Sequence, residues 1–345
     1  MSDKKERWLL TGVTAIYFCL LMLCPAKAAE AVSGGMEMFI RKLVPVLFPY
    51  MVLSHFIGTY GLLDPLNTLL PVGKLFRMDA CAFSAFAVGH LCGYPLGAKM
   101  TAKSVRLGRL DRNRGALLCG VSSGASPAFL LHVVGSMLWG DIRLGAVLWA
   151  AQIGFGLLAG GIAGRQYRSV PAEKQTSQET VSFSQCFCEA VGGSALQLVA
   201  IGGYIVFFTL LTALLPFGSV GGTLASVILE FSSGAEKAAV LGGYAGLFLT
   251  GFSVGFGGLS VLAQTANMLS GTEIPLRVYV LCRAGCGVFC GTAAVAFGLL
   301  FPEILLRGQP AAGTFPIETG TAPVWAAWLL GMMWYCMGMR RGAGR

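Results

Sequence analysis

A chain of 345 residues with a formal net charge of +9 is 55% apolar and only 12% Asp, Glu, Lys and Arg. That is about half the charged share of an ordinary soluble domain, too little to cover a water-facing surface, and it excludes a soluble enzyme. The basic residues fall between apolar runs and not in an aromatic-interleaved patch. This excludes nucleic acid as a partner and leaves membrane lipid as the solvent for most of the chain.

In chain order, the first apolar run, 8–24, comes after Lys4, Lys5 and Arg7 and precedes Ala26-Lys27-Ala28. This is the layout of either a cleaved signal peptide or a retained first helix, and the length of the run suits a span better than a signal core. A second crossing is expected at 36–58, then a loop with Asp64, Pro65, Lys74 and Arg77. The next run, 80–92, is too short to span a hydrocarbon core of about 30 Å and stops at Gly93-Tyr94-Pro95-Leu96-Gly97. Residues 98–107 beyond it include Lys99, Lys103 and Arg106 and cannot lie unshielded across lipid. The pattern predicts a re-entrant hairpin with its tip at that break. Crossings at 115–138, interrupted by Ser122-Ser123-Gly124-Ala125-Ser126-Pro127, and at 144–164 complete this half.

The polar stretch 165–184 reads as a linker. Beyond it are expected a crossing at 190–215, a second hairpin broken at Glu230-Phe231-Ser232-Ser233-Gly234, and a crossing at 243–269 interrupted at Ser253-Val254-Gly255-Phe256-Gly257-Gly258. A crossing at 278–300 and a final helix at 324–339 end the chain. Cys119-Gly120-Val121-Ser122-Ser123-Gly124 lies over Thr250-Gly251-Phe252-Ser253-Val254-Gly255 without a gap, and Leu96-Gly97-Ala98-Lys99 over Ser233-Gly234-Ala235-Glu236 at another offset. The fold class expected is all-α: a polytopic membrane protein of two inverted repeats with re-entrant hairpins and broken helices. Its divisions are an N-terminal transmembrane helix or signal sequence (1–35), a first repeat (36–165), a cytoplasmic linker (166–186), a second repeat (187–306), and an outer loop with a C-terminal helix (307–345). Three crossings and a hairpin that returns to its own side make the second half enter with the opposite orientation. The positive-inside rule agrees. With the N-terminus inside, the inner loops carry Lys74, Arg77, Arg109, Arg112, Arg114, Arg165, Arg168, Lys174 and Arg277, and the outer loops only Lys27, Arg143, Lys237 and Arg307.

A helix broken inside a bilayer leaves backbone groups unpaired at several kcal/mol each unless protein, water or a ligand satisfies them. In transporters with inverted repeats, half-helix N-termini face anionic groups and unwound carbonyls hold cations. The breaks here are rich in small hydroxyl residues: Ser122, Ser123, Ser126, Ser232, Ser233 and Ser253. With the backbone of Gly93, Tyr94, Pro95, Gly97, Gly234 and Gly255, they form the candidate substrate-binding set. Lys99, just past the first tip, reads either as a counter-charge for an anion or as a lysine snorkelling to the inner headgroups. Glu230 could accept a proton or cation, pair with Lys99, or lie at a wet rim. Gln264 and Asn267 could hydrogen-bond a polar ligand. His90 reads as a packed residue, and Cys282, Cys286 and Cys290 as a close-packing stripe. No catalytic set, Walker loop or metal-ligand cluster can be assembled, so neither an enzyme nor a cofactor is expected.

Gly93-Tyr94-Pro95-Leu96-Gly97-Ala98-Lys99, the basic stretch through Arg114, the serine-rich break, Gly251-Phe252-Ser253 leading into Ala263-Gln264, and Gly271-Thr272-Glu273-Ile274 resemble the sporulation integral membrane protein family often called YlbJ, which carries the nucleoside-recognition Gate domain. The resemblance covers 36–298, and its second half is more glycine-rich than the family pattern. It implies a role in endospore formation in Gram-positive bacteria, with passage of dipicolinate from the mother cell across the outer forespore membrane. The Gate-domain name points instead to nucleosides, and a non-transporting spore-envelope scaffold is the alternative from another class. The partners expected are a small-molecule anion and membrane lipid, with room for a coupling ion (H+ or Na+) and for a homo-oligomer.

Overall fold

The computed structural model describes residues 2–63, 72–78, 81–167, 182–214 and 219–307. The expected final helix, most of the linker, and Asp64 and Pro65 lie outside these residues. The described chain is helical throughout, with no strand.

The first helix, α1 (Ser2–Leu23), is followed at once by α2 (Pro25–Glu37), and the chain turns by 101° between them. Cys24 leaves helical geometry there (φ −129°, ψ 54°), and Pro25, whose ring cannot continue a preceding helix, starts the next one at its first position. The expected outer loop around Lys27 is therefore a corner. The helix then runs on through a π-helical segment (Met38–Leu43) into α3 (Val44–Tyr60), so the expected crossing at 36–58 is the later part of a longer helix. Pro45 and Pro49 lack the amide hydrogen a regular ladder needs and fall just past the π-helical stretch. Gly61, in left-handed geometry at φ 61°, ends α3.

After the short α4 (Val72–Phe76) comes a hairpin of α5 (Cys81–Cys92) and α6 (Leu96–Arg106), then a broken crossing of α7 (Arg112–Val121) and a π-helical segment (Phe129–Leu138), then the unbroken α8 (Ile142–Gly164). Past the linker, α9 (Phe183–Leu214) leads into a hairpin of α10 (Ser219–Leu229) and α11 (Phe231–Leu241). Next are a crossing of α12 (Gly243–Phe256) and α13 (Gly258–Met268), the unbroken α14 (Leu276–Leu300) and a last turn, α15 (Ile304–Arg307). The same order thus occurs twice: helix, hairpin, broken helix, unbroken helix. Among the described residues, Ile142–Gly164, Phe183–Leu214, Gly243–Met268 and Leu276–Leu300 are long and apolar enough to cross a membrane, and the bent α1–α2 pair adds a fifth if counted as one span. The expected crossing at 115–138 is absent from that set because its backbone is unwound in the middle.

Small residues bring the helices together, as they do where lipid is the competing solvent. A Cβ on Gly251 would stand 2.5 Å from the carbonyl oxygen of Cys290, and one on Gly255 2.7 Å from that of Cys286. Gly287 and Gly291 pack the reverse way on Phe252 and Phe248. The cysteines of α14 thus belong to a packed interface between α12 and α14.

The polar helix ends sort to two sides. Arg77 donates to the carbonyls of Arg165 and Tyr167, Arg114 lies 5.5 Å from the Tyr167 ring centre, Arg106 caps the end of α13 at Met268 and Ser270, and Arg112 lies 3.9 Å from Glu273. At the other end, Asp141 caps α8 and, with Glu303, binds Arg143, which stacks 4.5 Å from the Phe301 ring centre. Arg77, Arg112 and Arg114, assigned to the inner loops, thus gather on one side with the end of α13.

Candidate functional site

The first hairpin tip is open for Gly93, Tyr94 and Pro95, and the first broken crossing is unwound from Ser122 to Ser126. These two irregular stretches lean on one another. Gly93 has φ 85°, and a Cβ there would stand 2.8 Å from the Ser126 amide, so both the dihedral and the contact require glycine. The Ser122 carbonyl sits in the fork of the hairpin, where a side chain on either Gly89 or Gly97 would overlap it. Gln152 of α8 reaches in to accept from the Ala125 amide (2.8 Å), and His90 Nε2 donates to the Val121 carbonyl (3.1 Å). His90 is buried and packed, with Trp149 donating to its carbonyl at 2.9 Å.

The second tip is a single non-helical residue, Glu230, and the second broken crossing is interrupted at Gly257 alone. The stretch 253–256, expected to be unwound, is helical up to Phe256, because two consecutive left-handed glycines, Gly257 (φ 87°) and Gly258 (φ 73°), suffice to break the helix. Glu230 is fully buried and caps α11, accepting from Ser232 Oγ (2.6 Å) and the amides of Ser232 (3.2 Å) and Ser233 (2.7 Å). The N-terminus expected to face a foreign anion thus carries its own carboxylate. Ser253 Oγ donates to the Phe231 carbonyl (2.8 Å), Gly234 packs against Ser253 Oγ, and Ser233 Oγ lies 3.4 Å from Thr209 Oγ1.

The two tips touch. Tyr94 and Phe231 meet edge to face with ring centres 5.7 Å apart, Phe129 packs on Phe231 at 5.3 Å, and Tyr94 Oη donates to the Val254 carbonyl (3.0 Å). Behind Tyr94 lies Arg283, two turns into α14 and 2% exposed. Its guanidinium donates to the Ser123 carbonyl, the Gly255 carbonyl and Tyr94 Oη, joining both broken crossings and the first tip. Its Nε has no partner, and among the described residues no carboxylate pairs with it. Arginine suits this place because its planar fork serves several acceptors at once, which an ammonium cannot do with fixed geometry.

In front of Tyr94 is a cavity of about 30 Å³, walled by both tips (Gly93, Tyr94, Phe231), the first break (Ala125, Ser126), and Val261 and Gln264 of α13, with apolar side chains of α9 and neighbouring segments closing it. Ser126 Oγ accepts from the Phe129 amide (3.3 Å), so the N-terminal end of the helix after the break faces this space. Gln264 is buried, and its amide has no protein partner among the described residues. The volume suits about one water, so the site is too small for a larger guest in this conformation.

Of the residues expected to bind substrate, Gly93, Tyr94, Ser126 and Gln264 line the cavity. Ser122, Ser123, Ser253 and Gly255 are not on its wall; Ser123, Ser253 and Gly255 are engaged in the hydrogen bonds above, and the buried Ser122 hydroxyl has no partner among the described residues, while Pro95 is the N-cap residue of α6, Gly97 lies in its first turn, and Ser232, Ser233 and Gly234 begin α11. Lys99 is not on the cavity wall and does not pair with Glu230; it donates to Gln197 Oε1 of α9 at 3.0 Å. Lys103 reaches the Gly58 carbonyl (3.3 Å), and Asn267 is exposed. Arg283 went unread in the sequence, although a lone basic residue within the apolar run 278–300 is the same signal that singles out Lys99. Among the described residues no cluster of three or more His, Cys, Asp or Glu could hold a metal.

Spanning helices, two series of hairpin and broken crossing, and a small cavity at their junction define an all-α, multi-pass membrane protein. No family model matches the chain, and no solved structure does. It is 24% identical over 330 aligned positions to the sporulation integral membrane protein YlbJ of Bacillus subtilis (strain 168), covering 81% of this chain and 79% of that one, which supports its membership in the YlbJ family.

Proposed function

We propose that this chain is a sporulation membrane transporter for a small anionic metabolite, dipicolinate passing from the mother cell across the outer forespore membrane, and not an enzyme. One observation carries the reading: a fully buried guanidinium with no carboxylate partner among the described residues lies directly behind the wall of a small cavity. A charge so placed lowers the cost of bringing an anion out of water, and the helix end at Ser126 adds a partial positive charge on the same space. Three aromatic rings on the wall, Tyr94, Phe129 and Phe231, suit a planar aromatic guest. The wall is otherwise apolar, whereas a nucleoside needs several hydrogen-bonding groups for its sugar and base. Gln264, unpartnered on the wall, is the feature that favours the nucleoside reading.

The small-molecule content of spores made with and without this chain tests the proposal. Loss of dipicolinate alone is expected. A change confined to nucleosides would replace dipicolinate with the second substrate, and unchanged contents with an altered envelope would make the chain a scaffold.

A further inference from the structure

On the side of the cavity marked by the inner basic loops lies a second polar step outside the cavity wall. The buried face of α9 carries Ser194, Gln197, Ile201 and Ile205 at helical spacing, and the last two line the cavity. Going from the cavity towards the start of α9, the next two positions on this face are therefore Gln197 and Ser194. Both are buried, at 7% and 1% exposure, in a helix with lipid around it. Lys99 of α6 donates to Gln197 Oε1 at 3.0 Å. An ammonium can only donate, so this bond fixes the amide orientation and leaves Gln197 Nε2 as a donor pointing elsewhere. That Nε2 and the Ser194 Oγ both lack a partner. One turn along α6, Lys103 binds the Gly58 carbonyl at the end of α3, and His55 of α3 lies 4.0 Å from Glu189 of α9 at the rim.

Two unfilled donors on the buried face of α9 and the half-buried ammonium of Lys99 bound beside them, about one turn from the cavity, have the composition of a carboxylate site and not of a packing contact. Orphan buried donors are costly, and each calls for an occupant or another explanation. From these contacts we infer that Lys99, Gln197 and Ser194 form an inner carboxylate-binding station, separate from the central cavity, where an anion from the cytoplasmic side rests before or after passing the tips. This inference rests on the anion reading above. It gives Lys99 a role distinct from that of Arg283: the former acts on entry from one face, the latter on the central site.

The test uses the full-length chain purified in detergent and in liposomes, with dipicolinate as the probe. Calorimetric titration of the wild type should show two sites, and Lys99→Gln one. In sided vesicles Lys99→Gln should raise KM on the inner face about tenfold and leave the outer-face KM within about twofold, with Gln197→Leu and Ser194→Ala shifting the inner-face value about threefold. Those two neutral variants keep the test informative if Lys99→Gln fails to accumulate. A single site in the wild type, or equal effects of all three variants on both faces, would overturn the station. Two-site binding without transport would leave the station standing and remove the transporter reading. Transport with no sided effect of any variant would do the reverse.

Discussion

The two breaks that correspond in sequence differ in how much backbone they open. In the first half, Ser122 to Ser126 are unwound and the tip opens over three residues, and side chains of other helices serve this backbone: Gln152 takes the Ala125 amide and Arg283 the Ser123 carbonyl, while the Ser122 carbonyl packs into the Gly89–Gly97 fork. In the second half a single residue interrupts each helix, and the tip closes on itself through the Glu230 cap. Equivalent position in a repeat therefore does not mean equivalent chemistry. The half with the longer unwound stretches is the half whose open segments, Gly93 to Tyr94 and Ala125 to Ser126, line the cavity.

The comparison breaks first on orientation, an all-or-none outcome. Reporter fusions at Gln178 and Gly313 are expected on opposite sides of the membrane, inside and outside respectively, and finding both on one side would end the inverted arrangement. Next in size is Gly89→Ala or Gly97→Ala. Neither leaves room for the Ser122 carbonyl, so both should lower membrane abundance severely, beyond the roughly 1–3 kcal/mol typical of an overfilled core. Normal abundance of both would mean that the fork is not closed on the break.

Removing one backbone partner from each half separates them further. Gln152→Leu takes the acceptor from the buried Ala125 amide and should cost about 1–3 kcal/mol. Ser253→Ala removes a bond to the Phe231 carbonyl, which already accepts the helical bond from four residues on, and should cost about 1 kcal/mol or less. Thermal unfolding of the two purified variants gives the order, and a larger loss for Ser253→Ala would contradict the asymmetry. The smallest effect is expected at Asn267→Ala, an exposed change within about 0.5 kcal/mol of no effect on unfolding.

The order of elements was legible because hydropathy and glycine position are local: runs too short to span announced both hairpins, and Gly93 and Gly257 to Gly258 ended helices where expected. The extent of opening was not legible. Whether 253–256 unwinds depends on whether neighbouring helices offer partners, and the Cys286 and Cys290 carbonyls pack too closely on Gly251 and Gly255 to admit an irregular strand. The corner at Cys24 was hidden because Ala26-Lys27-Ala28 reads equally as a polar gap or as the first turn of a helix. Gln264 was found as a lone polar residue past a break. Arg283 was harder to read, because its three acceptors come from segments distant in sequence and only the fold shows that they converge.

The most direct measurement is counterflow of labelled dipicolinate into liposomes holding the purified chain, compared between wild type, Arg283→Lys and Arg283→Met at matched incorporation. The account predicts uptake by the wild type, weakened uptake with the lysine, which keeps the charge but not the fork, and none above empty liposomes with the methionine. Wild-type uptake retained by Arg283→Met would contradict it, because the site would then owe nothing to the buried guanidinium at its wall.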